Sequence, residues 1–438
     1  MKKSTLHLAI LFLTSLVLNS CNKIDIWDII KDDKPKEIAA ADVATDWYKL
    51  QLGILLERNS ALNGVYFGYI GTGLYEATRH QTKHSASFTQ SLNQMPQMPA
   101  PEEFKTYDWQ VSANAAMASM VRSFYGGLTT GNMASIDSLE NAYNKKLSMV
   151  LGTATFERSQ EYGRSVAAAI YKWSQSANFN PSNAGYVPPV FPGAWVPTPP
   201  AFANGVMPYI SSARTFLASN TTAKAAAFPF AYSELPNSDF YKMVYKVYNV
   251  GQTLTGEQER IAMFFIDQGN GIGYTPPGHD FFILTQALEQ THANLATAAE
   301  VYAKAGIAEW DATIICFRSK YIYNLIRPVT YINKLIDPAW KPFITTPPHP
   351  EYPAAHAFIT GSVMQAAANV MGHNVKVVDH TYDFRGWSPR TYTSLWKAGE
   401  EAGISRLYGG IHYQPSIDIG LSLAMELGNK IGMIKLKN

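Results

Sequence analysis

The chain has only two cysteines, Cys21 and Cys316, nearly its whole length apart, so a disulfide framework is excluded as its source of stability. Charge is sparse: charged residues make up 16% and the formal net charge is +2, which leaves neither a basic field for nucleic acid nor an acidic tail, and any anion site has to be local. Past the amino terminus there is no uncharged apolar run long enough for a transmembrane helix, so the folded body is expected to be water-soluble. Strand signals are weak, with no two-residue hairpin turns between alternating runs and no short repeat. A Gly-x-Ser-x-Gly elbow is missing, and Gly269-Asn-Gly271-Ile-Gly273 has no preceding strand and reads as a loop. His80 and His84 stand four apart without a third metal ligand and read as a solvated face.

What is present is apolar and aromatic. At 47% hydrophobic and 13% aromatic, 438 residues can bury a core between two packed helical layers. The start, MKKSTLHLAILFLTSLVLNSC, has a basic opening, a short apolar run and a small residue before Cys21. It resembles a lipoprotein signal peptide over 1–20 with Cys21 lipidated; an ordinary signal peptide cleaved nearby is the alternative, and both imply export. The expected location is therefore periplasmic or cell-surface on a bacterial membrane, which the protein touches through the lipid anchor only. Residues 21–40 mix charge and proline and read as a tether to a body spanning 41–438.

Spacings of three and four predict helices near 41–56, 60–80, 106–124, 133–148 and 154–177, and again near 238–250, 256–267, 279–304, 306–326, 355–371, 389–403 and 416–432. The fold class expected is all-α, two adjoining helical bundles. Proline and glycine dominate 180–209, which is too aromatic for a loose linker and reads as an ordered excursion across the bundle.

Three stretches carry chemistry. In Lys320-Tyr-Ile-Tyr-Asn-Leu-Ile-Arg327-Pro328 nearly two helical turns return two cations to one face, in apolar surroundings that argue against full exposure. In Pro353-Ala354-Ala355-His356 a Pro-rich loop becomes an Ala-rich helix, whose first N–H groups attract anions and whose histidine can exchange a proton beside one. In Ser405-Arg406-Leu-Tyr-Gly409-Gly410-Ile-His412 two glycines break the helix and let Arg406 and His412 face one pocket.

In order and separation these stretches resemble the signature Lys-x6-Arg-Pro, Pro-Ser-Gly-His, Ser-Arg-x5-His-x3-Asp of vanadium-dependent haloperoxidases and type 2 phosphatidic acid phosphatases. WVPTPPAF, TPPGH, YNLIRPVTYI, PPHPEYP and YGGIHY extend the likeness to the soluble bacterial haloperoxidase-related branch, with the signature lying in 320–418. The resemblance implies a tetrahedral oxyanion held by Lys320, Arg327, Arg406 and the Ala355 N–H, with His412 as the vanadium ligand or phosphoryl acceptor and His356 as the acid–base group. Ala354 and Ala355 replace the family's Ser and Gly, and Ser416 stands where the final Asp is expected, leaving Asp418 as the candidate to orient His412. His349 matches a histidine of the family's bromoperoxidases, or is a loop residue in a Pro-rich turn.

Peroxidase and phosphatase chemistry share these residues. The leading expectation is oxidation of a halide by hydrogen peroxide with vanadate as cofactor. The alternatives are an acid phosphatase working through a phosphohistidine without a cofactor, and a degenerate anion-binding lipoprotein. The partner expected is a small-molecule substrate or oxyanion and no nucleic acid; oligomeric state is not legible.

Overall fold

The computed structural model describes residues 40–57, 64–267 and 273–436. The expected signal peptide, Cys21, the tether up to residue 39 and the Gly269–Gly271 stretch lie outside the described residues. Residues 101–106 group apart from the rest of the described chain, which forms one body.

That body is helical. Its amino-terminal half holds α1 (Asp42–Leu56), α2 (Gly64–Thr78), α3 (Trp109–Phe124), α4 (Thr130–Ser148) and α5 (Thr153–Ser174). The other half holds α6 (Asp239–Gln252), α7 (Gly256–Phe264), α8 (Pro276–Gln290), α9 (Leu295–Tyr323), α10 (Pro328–Leu335), α11 (Ala355–Met371), α12 (Leu395–Tyr408) and α13 (Gln414–Gly432). Several helix starts are set by side chains that satisfy free N–H groups: Asp108 accepts from Gln110 and Val111, and capping boxes form at Thr129/Asn132 and Thr255/Gln258. Among the described residues no helix is long and apolar enough to cross a membrane.

The spine is α9, 29 residues long and buried on nearly every side from Leu295 to Lys320. It packs on α2 of one bundle and on α11 of the other, which also holds α12 and α13. The α2–α9 crossing is close because glycines face backbone: a Cβ at Gly306 would lie 2.5 Å from Phe67 O, and one at Gly71 would lie 2.4 Å from Tyr302 O. The helical pattern predicts a break near residue 305, yet the chain breaks at 291–294, where His292 has φ 50° and Asn294 caps α9 by accepting from Thr297 N. Gly306 is thus a packing residue inside a helix, not a stop.

The helix expected at 389–403 also begins late. Residues Arg390–Tyr392 pair antiparallel with Val377–Asp379 as a two-stranded ribbon, and α12 starts only after Ser394, whose side chain accepts from Lys397 N. His80 departs from a solvated face: it sits in a short 3-10 turn with its ring stacked on Trp109 at 5.9 Å and is only partly exposed, whereas His84 is exposed.

The 180–209 excursion is ordered and helix-free. Trp195 N donates to Asn324 O at 2.6 Å, Ile326 N to Gly193 O at 2.9 Å, and Val206 N to Pro348 O at 3.0 Å. It thereby straps the end of α9 to the Pro-rich loop before α11. Two apolar cores result, a large one through α1–α5, α8, α9 and α11, and a smaller one around α6, α10, Tyr352 and Tyr413.

Candidate active site

Helix α9 ends at Tyr323 because Asn324 turns left-handed, with φ 45°, and its N–H returns to Lys320 O at 2.8 Å. Arg327 is the extended residue before α10, and Pro328 opens that helix. Lys320 and Arg327 therefore do not share a helical face, as their spacing predicts; a break in the chain brings them together. Both are 0% exposed.

Lys320 Nζ donates to the carbonyls of Pro350 at 3.0 Å, Glu351 at 2.9 Å and Pro353 at 2.5 Å. Its donors hold the Pro-rich loop, and its charge stays beside the site without lining the cavity. Arg327 donates through Nε to His349 O at 2.9 Å and through Nη1 to Ile411 O at 2.8 Å, joining the second motif to the third. Its Nη1 also lies 3.1 Å from His412 Nε2, and its Nη2 lies 3.0 Å from His349 Nδ1.

Ala354 has no side-chain oxygen to cap α11, so the first-turn N–H groups of Ala355 and His356 receive no side-chain cap. Arg406 lies in the last turn of α12, and Gly410, with φ 74°, reverses the chain so that His412 returns beside it. Arg406 donates to Ser405 Oγ at 2.9 Å and to Phe265 O. Arg406, His356, His412, His349 and Ala355 line one cavity of about 400 Å³.

The carboxylate that orients His412 is Glu351, not Asp418. Glu351 Oε1 lies 2.8 Å from His412 Nδ1 and accepts Tyr413 N–H at 2.9 Å, and Glu351 Oε2 accepts the Ser416 hydroxyl at 2.6 Å. Asp418 is exposed and accepts from Gln414 at 2.8 Å, because its place on α13 turns it outward. Ser416, at the family's Asp position, holds the carboxylate instead of supplying it.

His356 has a carboxylate that sequence reasoning missed. Asp267, just past α7, lies 2.8 Å from His356 Nε2. Its other oxygen lies 2.7 Å from His279 Nδ1 and accepts Tyr382 OH at 3.1 Å, while His279 Nε2 lies 3.2 Å from Asp379. Against burial, Asp267 raises His279 to about 10, making it an imidazolium between two carboxylates. Burial and then Arg406 lower His356 to about 4, so it is neutral near pH 7. Burial, then Arg327 and Lys320, push His412 well below the usual imidazole range. No motif announced Asp267; the only cue was TPPGH, which places His279 at the head of α8.

Three cations are thus buried together, Lys320 and Arg327 at 0% and Arg406 at 3% exposure, and among the described residues none has a carboxylate in ion-pair contact. Burial lowers Lys320 to about 7 and both arginines to about 10. A site so arranged favours an anion.

A family profile described as the VCPO second helical-bundle domain matches residues 300–435, the segment that carries all three motifs. The solved structure titled "Crystal structure of the first bacterial vanadium dependant iodoperoxidase" is similar at TM-score 0.81 and 29% identity, covering 93% of this chain and 99% of that one. The family's second helical-bundle domain is thus present in this chain, and the fold as a whole is that of the vanadium haloperoxidase/PAP2-like superfamily. An apo-type bacterial vanadium-dependent chloroperoxidase shares the superfamily fold at TM-score 0.60 and 14% identity, over 86% of this chain and 93% of that one. The holo-type structure gives TM-score 0.57 and 14% identity, over 92% and 95%. A comparison with curated proteins gives no match. In this chain Ala354 and Ala355 bring no side-chain hydroxyl to the loop, and the carboxylate at His412 Nδ1 comes from Glu351, which also accepts the Ser416 hydroxyl.

Proposed function

We propose that this chain is a vanadium-dependent haloperoxidase that oxidises a halide with hydrogen peroxide. The observation that carries the reading is the pairing of two neutral imidazoles, His412 on Glu351 and His356 on Asp267, in one cavity beside three buried cations that have no carboxylate in ion-pair contact among the described residues. The likeness to an iodoperoxidase over nearly the whole chain supports it and makes iodide the first halide to try.

The residues fit a tetrahedral oxyanion. Arg406 and the Ala355 N–H, which line the cavity, would hold vanadate, and Lys320 and Arg327 would add their charge from behind the loop and the imidazole that they grip. Bound vanadate supplies the Lewis acidity that makes peroxide oxygen electrophilic. His412 donates Nδ1–H to Glu351, which leaves its lone pair on Nε2, the atom that faces Arg327. His356, neutral near pH 7, accepts a proton from peroxide and is held in place by Asp267. Overall, hydrogen peroxide, halide and one proton give hypohalous acid and water.

The test is halide oxidation by purified protein loaded with orthovanadate. Triiodide formation from iodide and peroxide that requires vanadate, and that falls at least a hundred-fold in His412→Ala, is expected. Hydrolysis of p-nitrophenyl phosphate without halide oxidation would instead assign the site to phosphohistidine chemistry at His412. Binding of phosphate with neither turnover would mark a degenerate anion site.

A further inference from the structure

The cavity beside His412 and His356, about 400 Å³, has room for about a dozen waters, far more than one oxyanion fills. Most of its wall is apolar, including Met207, Pro277, Phe317, Ile344, Pro348 and Ile359. On the α9 wall stands an exception. Glu309 is 1% exposed, and its Oε2 is buried with no hydrogen-bond partner among the described residues. Its Oε1 has only a 3.4 Å contact with Thr313 Oγ1, whose hydroxyl already donates to Glu309 O at 2.8 Å. In the neighbouring acid, Asp280, Oδ2 accepts the Thr360 hydroxyl at 3.2 Å.

Along α9, Glu309 lies roughly 16 Å from Lys320, with Thr313 and Phe317 between them on the cavity face. A buried carboxyl oxygen facing no partner is costly unless a ligand meets it. Burial holds Glu309 up at about 8, so near neutrality it is an acid that both donates and accepts. Such a group suits an uncharged hydroxyl or amide, whereas a metal ion or ammonium group calls for the carboxylate.

We infer that the cavity binds a neutral, mainly apolar organic molecule whose hydroxyl or amide meets Glu309 while its body lies along the apolar wall toward His356 and His412. Under the haloperoxidase reading this molecule is the halogen acceptor, but the binding itself rests on the cavity alone. It is therefore tested without peroxide, halide or phosphoester.

The probes are p-cresol and toluene, with affinities measured on the full chain by titration calorimetry or ligand-observed NMR. The expected result is that wild type binds both, and that the affinity ratio of p-cresol to toluene falls about three- to ten-fold in Glu309→Leu. Toluene binding is retained in that variant, which also reports that the cavity is still folded. Glu309→Gln, whose amide can donate and accept, keeps the ratio within about two-fold. An unchanged ratio in Glu309→Leu overturns the inference, and so does failure of wild type to bind either probe.

Discussion

His412 has a carboxylate at one ring nitrogen and a guanidinium at the other, so its behaviour is set by Glu351 and Arg327 together. Burial lifts Glu351 to about 7, with Ser416, the Tyr413 N–H and the two cations pulling the other way. Ionised Glu351 is the stronger acceptor for Nδ1–H, so under the haloperoxidase reading turnover is expected to fall as pH drops through about 7, and that acidic limb should vanish in Glu351→Gln. The same variant should lose about ten- to a hundred-fold in kcat/KM, while Asp418→Asn stays within about two-fold. A Glu351→Gln enzyme with wild-type rate and pH profile would remove Glu351 from the site. The residue was in plain view within PPHPEYP, but the family's His-x3-Asp spacing pointed to α13. Contact between position 351 and position 412 is made by a loop folding back, which local periodicity does not encode.

Among the elements, α9 decides most. It ends where Asn324 turns left-handed, which sets Lys320 against the loop and Arg327 against His412, and its middle passes α2 with glycine against backbone. Helix propensity alone would make Gly306→Ala stabilising by about 1 kcal/mol. The 2.5 Å approach to Phe67 O predicts the opposite sign, a loss of about 1–3 kcal/mol in chemical denaturation, because the two helices have to separate. A variant as stable as wild type would show that the crossing is loose. Most helices lay where apolar spacing placed them, since each buries a stripe. The break expected near 305 is absent because Gly306 lies inside α9 in contact with another helix, and a partner helix is invisible in a local pattern.

Across the whole molecule, the site lies where the large core meets the small one, with Phe317 and Ile359 on one side and Tyr352 and Tyr413 on the other. The His279 relay crosses the same body, joining α8, the segment after α7, the ribbon and α11 through buried charge. His279 is held at about 10 against its ordinary 6.5, so its stabilisation is complete below about pH 6.5 and lost as pH rises toward 10. Wild type should lose on the order of a few kcal/mol of unfolding free energy across that window, and His279→Asn should lose distinctly less. Parallel pH dependence of the two denaturation midpoints would show that His279 is not charged in the folded state. The sequence by itself determined the helical class and the superfamily signature, and nominated both histidines and all three cations, because these rest on residue type, spacing and order. Only the tertiary structure decided that Lys320 grips a loop, that Glu351 and Asp267 hold the two imidazoles, and that Glu309 faces a cavity, because each depends on segments far apart in the chain being packed into contact.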